Sequence, residues 1–224
     1  MKISFLIVFI ILVCSLKTLQ AQEQKLRYIA VGDSYTIGTG VTEQQRWPTL
    51  LVNHLQKDGL AVEFVANLGL NGFTSQNALD LELPVLKKLK PTMATLLIGA
   101  NDVFRGISPI TFRINLQNLL DQMLEVIPQK KYFFVITIPD FSVTPAGQSF
   151  GNAEAVSKEI QLFNQIIQEE AKKRGLVTID LFSLSQQMGK EPLLVANDGL
   201  HPSAQEHILW EQLISQEVQK ILKK

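Results

Sequence analysis

Four short blocks of the sequence contain residue types that together could carry out an acyl transfer. Block 32–35 reads GDSY, block 67–72 reads NLGLNG, block 99–102 reads GAND and block 198–202 reads DGLHP. Acyl transfer needs a nucleophile, a base that takes its proton, a group that orients the base, and donors for the developing oxyanion. The four blocks offer candidates for all of these roles.

The candidate nucleophile is Ser34 and the candidate base is His201. Two other histidines, His54 and His207, fall within helical patterns, whereas His201 lies in a predicted loop. Asp198 precedes His201 by three residues and can accept a hydrogen bond from the imidazole if the loop curls back. Such a bond would fix the tautomer and stabilise the imidazolium. We therefore expect a Ser-His-Asp triad made of these residues.

The candidate oxyanion donors are the backbone N–H of Ser34, the backbone N–H of Gly72 and the side-chain amide of Asn101. One such donor is typically worth ~3 kcal/mol in the barrier. Each residue also has a simpler explanation, since a serine can cap a helix, a glycine can serve a turn and an asparagine can bond its own loop. An Asp198–His201 surface pair is the simpler explanation for the last block. Together, however, the residues complete one mechanism.

The elements that must position these blocks alternate between strand and helix. Strands are predicted at 27–31, 62–66, 92–98, 132–138 and 176–181, and helices at 47–57, 75–90 (kinked or split at Pro84), 109–126, 153–174 and 203–222. This alternation predicts a parallel sheet with helices on both faces, and the nearly continuous apolar strands are typical of such sheets. Because ligands bind beyond the carboxyl ends of these strands, blocks that follow strands should converge on one rim.

Bulk composition excludes several classes of function. Hydrophobic residues make up 46% of the 224 residues, and 21 basic residues balance 21 acidic ones. A nucleic-acid partner is not expected, because it usually leaves a basic footprint. The predicted mature segment has no apolar run of the ~20 residues that a bilayer crossing needs. Cys14 is the only cysteine, so we expect no disulfide and no cysteine metal ligand in the folded part.

The N-terminus has the pattern of an export signal. Lys2 precedes an apolar run at 3–13, and the small residue Ala21 offers a cleavage point. We expect a signal peptide at 1–21, a single domain at 22–224, and a periplasmic or secreted protein. Lipid attachment at Cys14, retention of 3–13 as an anchor, and a cytosolic location remain alternatives.

The four blocks resemble those of the GDSL family of lipases and esterases, also called SGNH hydrolases. The first block has Tyr35 where the name-giving pattern has leucine, and the other three match well across nearly the whole mature chain. The resemblance implies an α/β fold of the three-layer, flavodoxin-like type, with a five-stranded parallel sheet in the order 2-1-3-4-5. It implies no metal or organic cofactor. It also implies the roles given above to Ser34, His201, Gly72 and Asn101.

Other positions in and near the blocks receive supporting roles. Asp33 and Asp102 are interpreted as loop-shaping hydrogen-bond acceptors. An apolar cleft wall suited to an acyl chain could be formed by Phe104, Phe141, Val143 and Phe150, unless these side chains pack their loops onto the core.

The sequence leaves three functions open. The first is an acyl-ester hydrolase acting on a small-molecule or lipid ester, with lysophospholipid as the leading substrate. The second is a carbohydrate O-acetyl esterase acting on extracytoplasmic glycans. The third is a binding module on this fold that performs no catalysis.

Overall fold

A five-stranded parallel sheet lies at the centre of the computed structural model, which describes residues 25–222. The strand order is β2-β1-β3-β4-β5. The strands are β1 (Leu26–Gly32), β2 (Val62–Asn67), β3 (Met93–Leu97), β4 (Phe133–Ile136) and β5 (Val177–Ile179). The predicted fold class and strand order are therefore confirmed.

Helices cover both faces of the sheet. They are α1 (Ser34–Ile37), α2 (Trp47–Lys57), α3 (Ser75–Asn77), a π-helix (Ala78–Glu82), α4 (Leu83–Leu89), α5 (Ala100–Phe104), α6 (Pro109–Val126), α7 (Ala153–Arg174), α8 (Phe182–Ser185) and α9 (Ala204–Leu222). Helices α2 and α9 pack together on one side, while α6 packs against both α4 and α7 on the other.

The core lies on both sides of the central strands, which explains their continuous apolar sequence. All residues of β3 and β4 are buried. Trp47 and Trp210 fill the layer of α2 and α9, and the stacked rings of Phe112 and Phe163 lie 4.6 Å apart between α6 and α7. Full burial of one such side chain stabilises the fold by roughly 1.5–3 kcal/mol.

Local capping chemistry sets the bounds of the long helices. The Ser108 hydroxyl accepts the Thr111 N–H at 3.1 Å, and Asn152 Oδ1 accepts the Ala155 N–H at 3.0 Å. Both are typical N-cap bonds that satisfy an otherwise unpaired helix donor. The bounds of α6 and α7 consequently agree with the predicted 109–126 and 153–174.

Three predicted elements differ from the structure. The helix at 75–90 contains the π-helix, and Pro84 lies in the first turn of α4, where its missing N–H costs little. The strands at 132–138 and 176–181 are shorter than predicted. Beyond Ile136, Thr137 Oγ1 accepts the N–H groups of Leu181 and Phe182, so a side chain takes the place of the β-ladder there.

The N-terminal features stand apart from this description. The predicted signal segment 1–21, with Cys14, lies outside the described residues. Within 25–222, none of the helices combines the length and the apolar character that a membrane crossing needs.

Candidate active site

A cleft of about 200 Å³ lies at the carboxyl edge of the sheet. Its lining includes Ser34 from the first block, Gly72 from the second, Asn101 from the third and His201 from the fourth. The sheet thus brings together candidate residues from all four blocks, although up to 167 positions separate them in the chain. Asp198 lies directly behind His201 and completes the set.

Ser34 is held in a tight turn between β1 and α1. A Cβ atom at Gly32 would lie 2.1 Å from the Leu97 carbonyl oxygen, so this close approach of β1 to β3 requires glycine. Asp33 Oδ1 accepts the Tyr35 N–H at 3.0 Å and caps the helix. Because Ser34 is the first residue of α1, its own N–H has no acceptor within the helix. That N–H is available for an oxyanion.

His201 is oriented by Asp198 within one curled loop. The His201 Nδ1 atom lies 2.6 Å from Asp198 Oδ2, while Oδ1 accepts the N–H groups of Leu200 at 2.9 Å and His201 at 3.0 Å. Gly199 has φ 74°, which allows the chain to turn back on itself. Although burial raises the pKa of Asp198, these hydrogen bonds outweigh it and hold the pKa below its ordinary value. The carboxylate is therefore charged beside the imidazole, as a base orienter must be.

His201 and Ser34 both line the cleft. No hydrogen bond joins the Ser34 hydroxyl to the imidazole in the described part of the chain, but both side chains line the same cavity. Catalytic hydrogen bonds are often long without substrate and tighten in the complex. The Tyr35 ring packs beside the imidazole, with centroids 5.3 Å apart.

The two other oxyanion candidates are anchored by neighbouring backbone and side-chain bonds. Arg105 donates to the Gly72 carbonyl oxygen at 2.8 Å, which fixes the peptide that follows Gly72. Asn101 Nδ2 donates one hydrogen to the Phe73 carbonyl oxygen at 3.0 Å. The amide has a second hydrogen, and Asn101 lines the cleft. These bonds hold both groups in place before a substrate arrives.

Asp33 and Asp102 act as loop-shaping acceptors, as predicted. Asp102 Oδ2 accepts the Ser75 N–H at 2.8 Å, and Asp102 Oδ1 accepts the Ser75 hydroxyl. Burial raises the pKa of Asp102, and raises that of Asp33 to about 7 with a smaller contribution from the Asp102 charge. Asp33 thus shapes its own turn, while Asp102 joins the third block to the segment that follows the second.

Aromatic side chains form one wall of the cleft. Phe104 and Phe141 line it as predicted, together with Phe150, whose ring centroid lies 4.8 Å from that of Phe104. Phe104 is 57% exposed, so it offers apolar surface at the mouth. Val143 was predicted for the same wall, but the structure places it elsewhere. It packs against Gly189 and lines a separate cavity, because the turn after Phe141 directs it away.

The sequence analysis assigned no role to Glu82, a buried acid that contacts the turn carrying Ser34. Its Oε1 accepts the Gly32 N–H at 3.1 Å. A signal was present in the sequence, because Glu82 falls at helical spacing between Ala78 and Leu86, and both of these are fully buried. An acid on such an apolar face calls for a specific partner.

The doubly wound sheet holds a serine, a histidine and an aspartate at one edge, the set of residues that serine hydrolases acting on ester bonds use. Residues 30–207, well over half of the chain, match the GDSL-like Lipase/Acylhydrolase family, and the chain belongs to that family.

Three relatives are similar in sequence. Esterase TesA of Pseudomonas aeruginosa is 33% identical over 104 residues, which span 46% of this chain and only half of that protein. An arylesterase of Vibrio mimicus is 23% identical over 202 residues, covering 90% of this chain and 92% of the relative. Thioesterase 1/protease 1/lysophospholipase L1 of Escherichia coli K12 is 24% identical, covering 78% of this chain and 74% of the relative.

Solved structures share the fold. A crystal structure of TesA aligns with a TM-score of 0.71 at 22% identity, covering 88% of this chain and 99% of that one. Axe2, an acetylxylan esterase from Geobacillus stearothermophilus, aligns with a TM-score of 0.68 at 17% identity, covering 86% of this chain and 94% of Axe2. At these identities the likeness speaks for the architecture alone.

Proposed function

We propose that the chain hydrolyses acyl esters with Ser34 as nucleophile, His201 as general base and Asp198 as the orienter of the base. The observation that carries this proposal is the pairing of His201 with Asp198 at 2.6 Å, at a cleft that both His201 and Ser34 line. The Nδ1 atom is engaged by the carboxylate, so Nε2 is the ring atom left to take a proton.

The reaction proceeds in two acyl transfers. His201 takes the Ser34 proton as the hydroxyl attacks the ester carbonyl, and the negative charge gathers on the carbonyl oxygen. The N–H groups of Ser34 and Gly72 and the free amide hydrogen of Asn101 stabilise that charge. His201 then protonates the leaving alcohol, and water, activated by the same imidazole, releases the acid from the serine ester.

The cleft favours a substrate with an apolar acyl group. Phe104, Phe141 and Phe150 provide an aromatic surface on which methylene groups can be buried, at roughly 0.8 kcal/mol each. We therefore propose lysophospholipids or simple acyl esters as substrates. The Escherichia coli relative, named a lysophospholipase and thioesterase, supports this choice.

Labelling by a fluorophosphonate probe tests the nucleophile. The wild type should label at Ser34, and Ser34→Ala should lose both labelling and hydrolysis. Ser215→Ala is the matched control, because Ser215 is also buried but lies on α9 and bonds the Gln212 carbonyl oxygen. Labelling that survives Ser34→Ala would remove the proposed mechanism.

A chain-length series tests the acyl group. p-Nitrophenyl esters of increasing length, run beside lysophospholipids and acetylated sugars, should give rising kcat/KM with chain length. Phe104→Ala should reduce that rise, whereas Ile110→Ala, a change at a more exposed apolar residue on α6, should not. Release of acetate from sugars with no activity on longer acyl esters would instead establish the carbohydrate O-acetyl esterase, which the shared fold of Axe2 keeps as the second candidate.

We also propose that residues 1–21 are a cleaved signal and that the protein is exported. The supporting pattern is Lys2, the apolar run at 3–13 and Ala21. Intact mass of the protein recovered from the cell envelope or the medium should place the N-terminus at Gln22. A mature N-terminus at Met1 contradicts cleavage, and a lipid-modified Cys14 identifies the lipoprotein alternative.

A further inference from the structure

Glu82 lies directly behind the turn that carries Ser34. The residue is 2% exposed, and its Oε1 accepts the Gly32 N–H at 3.1 Å. Gly32 is the last residue of β1 and precedes Ser34 by two positions. One side-chain bond therefore joins the π-helix Ala78–Glu82 to the backbone of the nucleophile turn.

Three buried oxygens around this bond have no hydrogen-bond partner within residues 25–222. They are Glu82 Oε2, Asp33 Oδ2 and Thr36 Oγ1. Their residues surround Gly32, since Asp33 follows it in the chain and a Cβ atom on Gly32 would lie 2.4 Å from Thr36 Oγ1. None of the three bonds to another, so the described residues supply no donor to either of the two carboxylate oxygens. Buried acceptors without donors are unfavourable, so the cluster calls for a further proton.

We propose that Glu82 is a positioning residue for Ser34, which holds the Gly32 N–H with one oxygen and shares a proton with Asp33 through the other. The proton keeps one of the two buried acids neutral, as expected for adjacent carboxyl groups in an apolar site. With both acids satisfied, the turn presents the Ser34 hydroxyl and N–H to the cleft in one fixed arrangement. This inference rests on the proposed role of Ser34 as nucleophile.

Two further observations support the proposal. Burial raises the pKa of Glu82 to about 9, against the lowering effect of the Gly32 N–H, and the charge on Asp33 adds to the rise. The π-helix also matters, because single π turns within helices frequently occur at functional sites. Here the π turn ends at Glu82, immediately before α4 begins at Leu83.

A pair of substitutions tests the role of Glu82. Glu82→Gln keeps one acceptor for Gly32 and one donor for Asp33, so we expect kcat within about threefold of the wild type. Glu82→Met keeps the length of the side chain but has neither group, so we expect kcat to fall by at least about tenfold with KM changed by less than about twofold. Glu170→Met is the control, because Glu170 is equally buried but lies near the end of α7 and contacts none of the four blocks.

A spectroscopic measurement covers the case in which Glu82→Met does not fold. The infrared difference spectrum between the wild type and Glu82→Gln at neutral pH should contain the C=O stretch of a protonated carboxylic acid. Absence of that band overturns the proposal. So does a folded Glu82→Met with wild-type kcat, or a Glu82→Gln as slow as Glu82→Met. In each case fluorophosphonate labelling of Ser34 in the wild type would show that the proposed function itself still stands.

Discussion

Two buried acids in this molecule have opposite surroundings. Glu170, whose side chain is 1% exposed, bonds Arg113 at 2.7 Å, Lys173 at 2.8 Å and Arg174 at 2.9 Å. Burial alone would raise its pKa, but the three cations lower it to about 2. Glu82 accepts one backbone N–H, that of Gly32, and its described contacts include no cation. Its pKa rises to about 9.

The difference follows the location of each acid. The Glu170 cluster ties α6 to α7 and satisfies the rule that a buried charge is paired. The Asp33–Glu82 cluster breaks that rule directly behind the candidate nucleophile. Proteins tend to retain such unfavourable groups at functional sites and compensate for them elsewhere. We therefore expect substitutions in the first cluster to change stability and substitutions near the second to change the rate.

Asp198 gives the sharpest test of this comparison, because it is paired like Glu170 but its partner, His201, lines the cleft. If location decides the outcome, Asp198→Asn should lower kcat by about a thousandfold or more, since the imidazole loses its orienter. The unfolding midpoint should change little. Asp121→Asn is the control, because Asp121 pairs with Arg174 at 2.6 Å outside the cleft. A near-normal kcat for Asp198→Asn would contradict the proposed triad.

Asn101 and Asn164 extend the comparison to two anchored amides. Asn101→Ala should lower kcat by about a hundredfold with little change in KM, because its bond strengthens as the oxyanion forms. Asn164 bonds both the N–H and the carbonyl oxygen of Ile138 and lies outside the cleft. Asn164→Ala should therefore destabilise the fold and leave kcat unchanged at temperatures where the protein is folded. Steady-state kinetics and urea unfolding of both variants measure this contrast. A rise in KM alone for Asn101→Ala would mean that Asn101 positions the substrate and does not stabilise the oxyanion.

Glu170→Gln is expected to act on stability alone. Removing one member of a buried ion pair typically costs 3–5 kcal/mol, but Arg113 retains Glu169 and Arg174 retains Asp121, so we expect about 2 kcal/mol here. Urea unfolding at neutral pH gives the free energy, and kcat at low temperature should match the wild type. If Glu170→Gln lost activity while remaining as stable as the wild type, the Glu170 cluster would not differ from the Asp33–Glu82 cluster in the way we expect.

The sequence predicts those features of the fold and the candidate site that depend on local residue patterns. The four blocks follow strand ends, and Asp198 and His201 lie within one short loop, so their convergence follows from topology. Cap residues fix the bounds of α6 and α7. Glu82 could not be placed in this way, because its bond to Gly32 depends on the π turn, which the pattern at 75–90 does not encode. The direction of Val143 likewise depends on a short turn whose geometry the sequence leaves open.

The pH dependence of stability is the test with the smallest expected effect. The two glutamates change the free energy of unfolding with pH in opposite directions, because one folded pKa is lowered and the other is raised. For Glu170 the folded pKa is lowered to about 2, so its contribution is present above the unfolded pKa of 4.5 and is lost as the pH falls towards 2. For Glu82 the folded pKa is raised to about 9, so its contribution is present below 4.5 and is lost as the pH rises towards 9.

The window between pH 8 and 9 isolates Glu82. Asp33 and Glu206, both raised to about 7, are then mostly ionised in the folded state. The native state still holds the Glu82 proton that the unfolded chain has released, so the free energy of unfolding should fall with pH, by at most about 1.4 kcal/mol per unit. In Glu82→Gln this slope should vanish, while Glu170→Gln should keep it. Urea titrations across this window measure the slope, and an unchanged slope in Glu82→Gln would mean that Glu82 is already ionised in the folded protein.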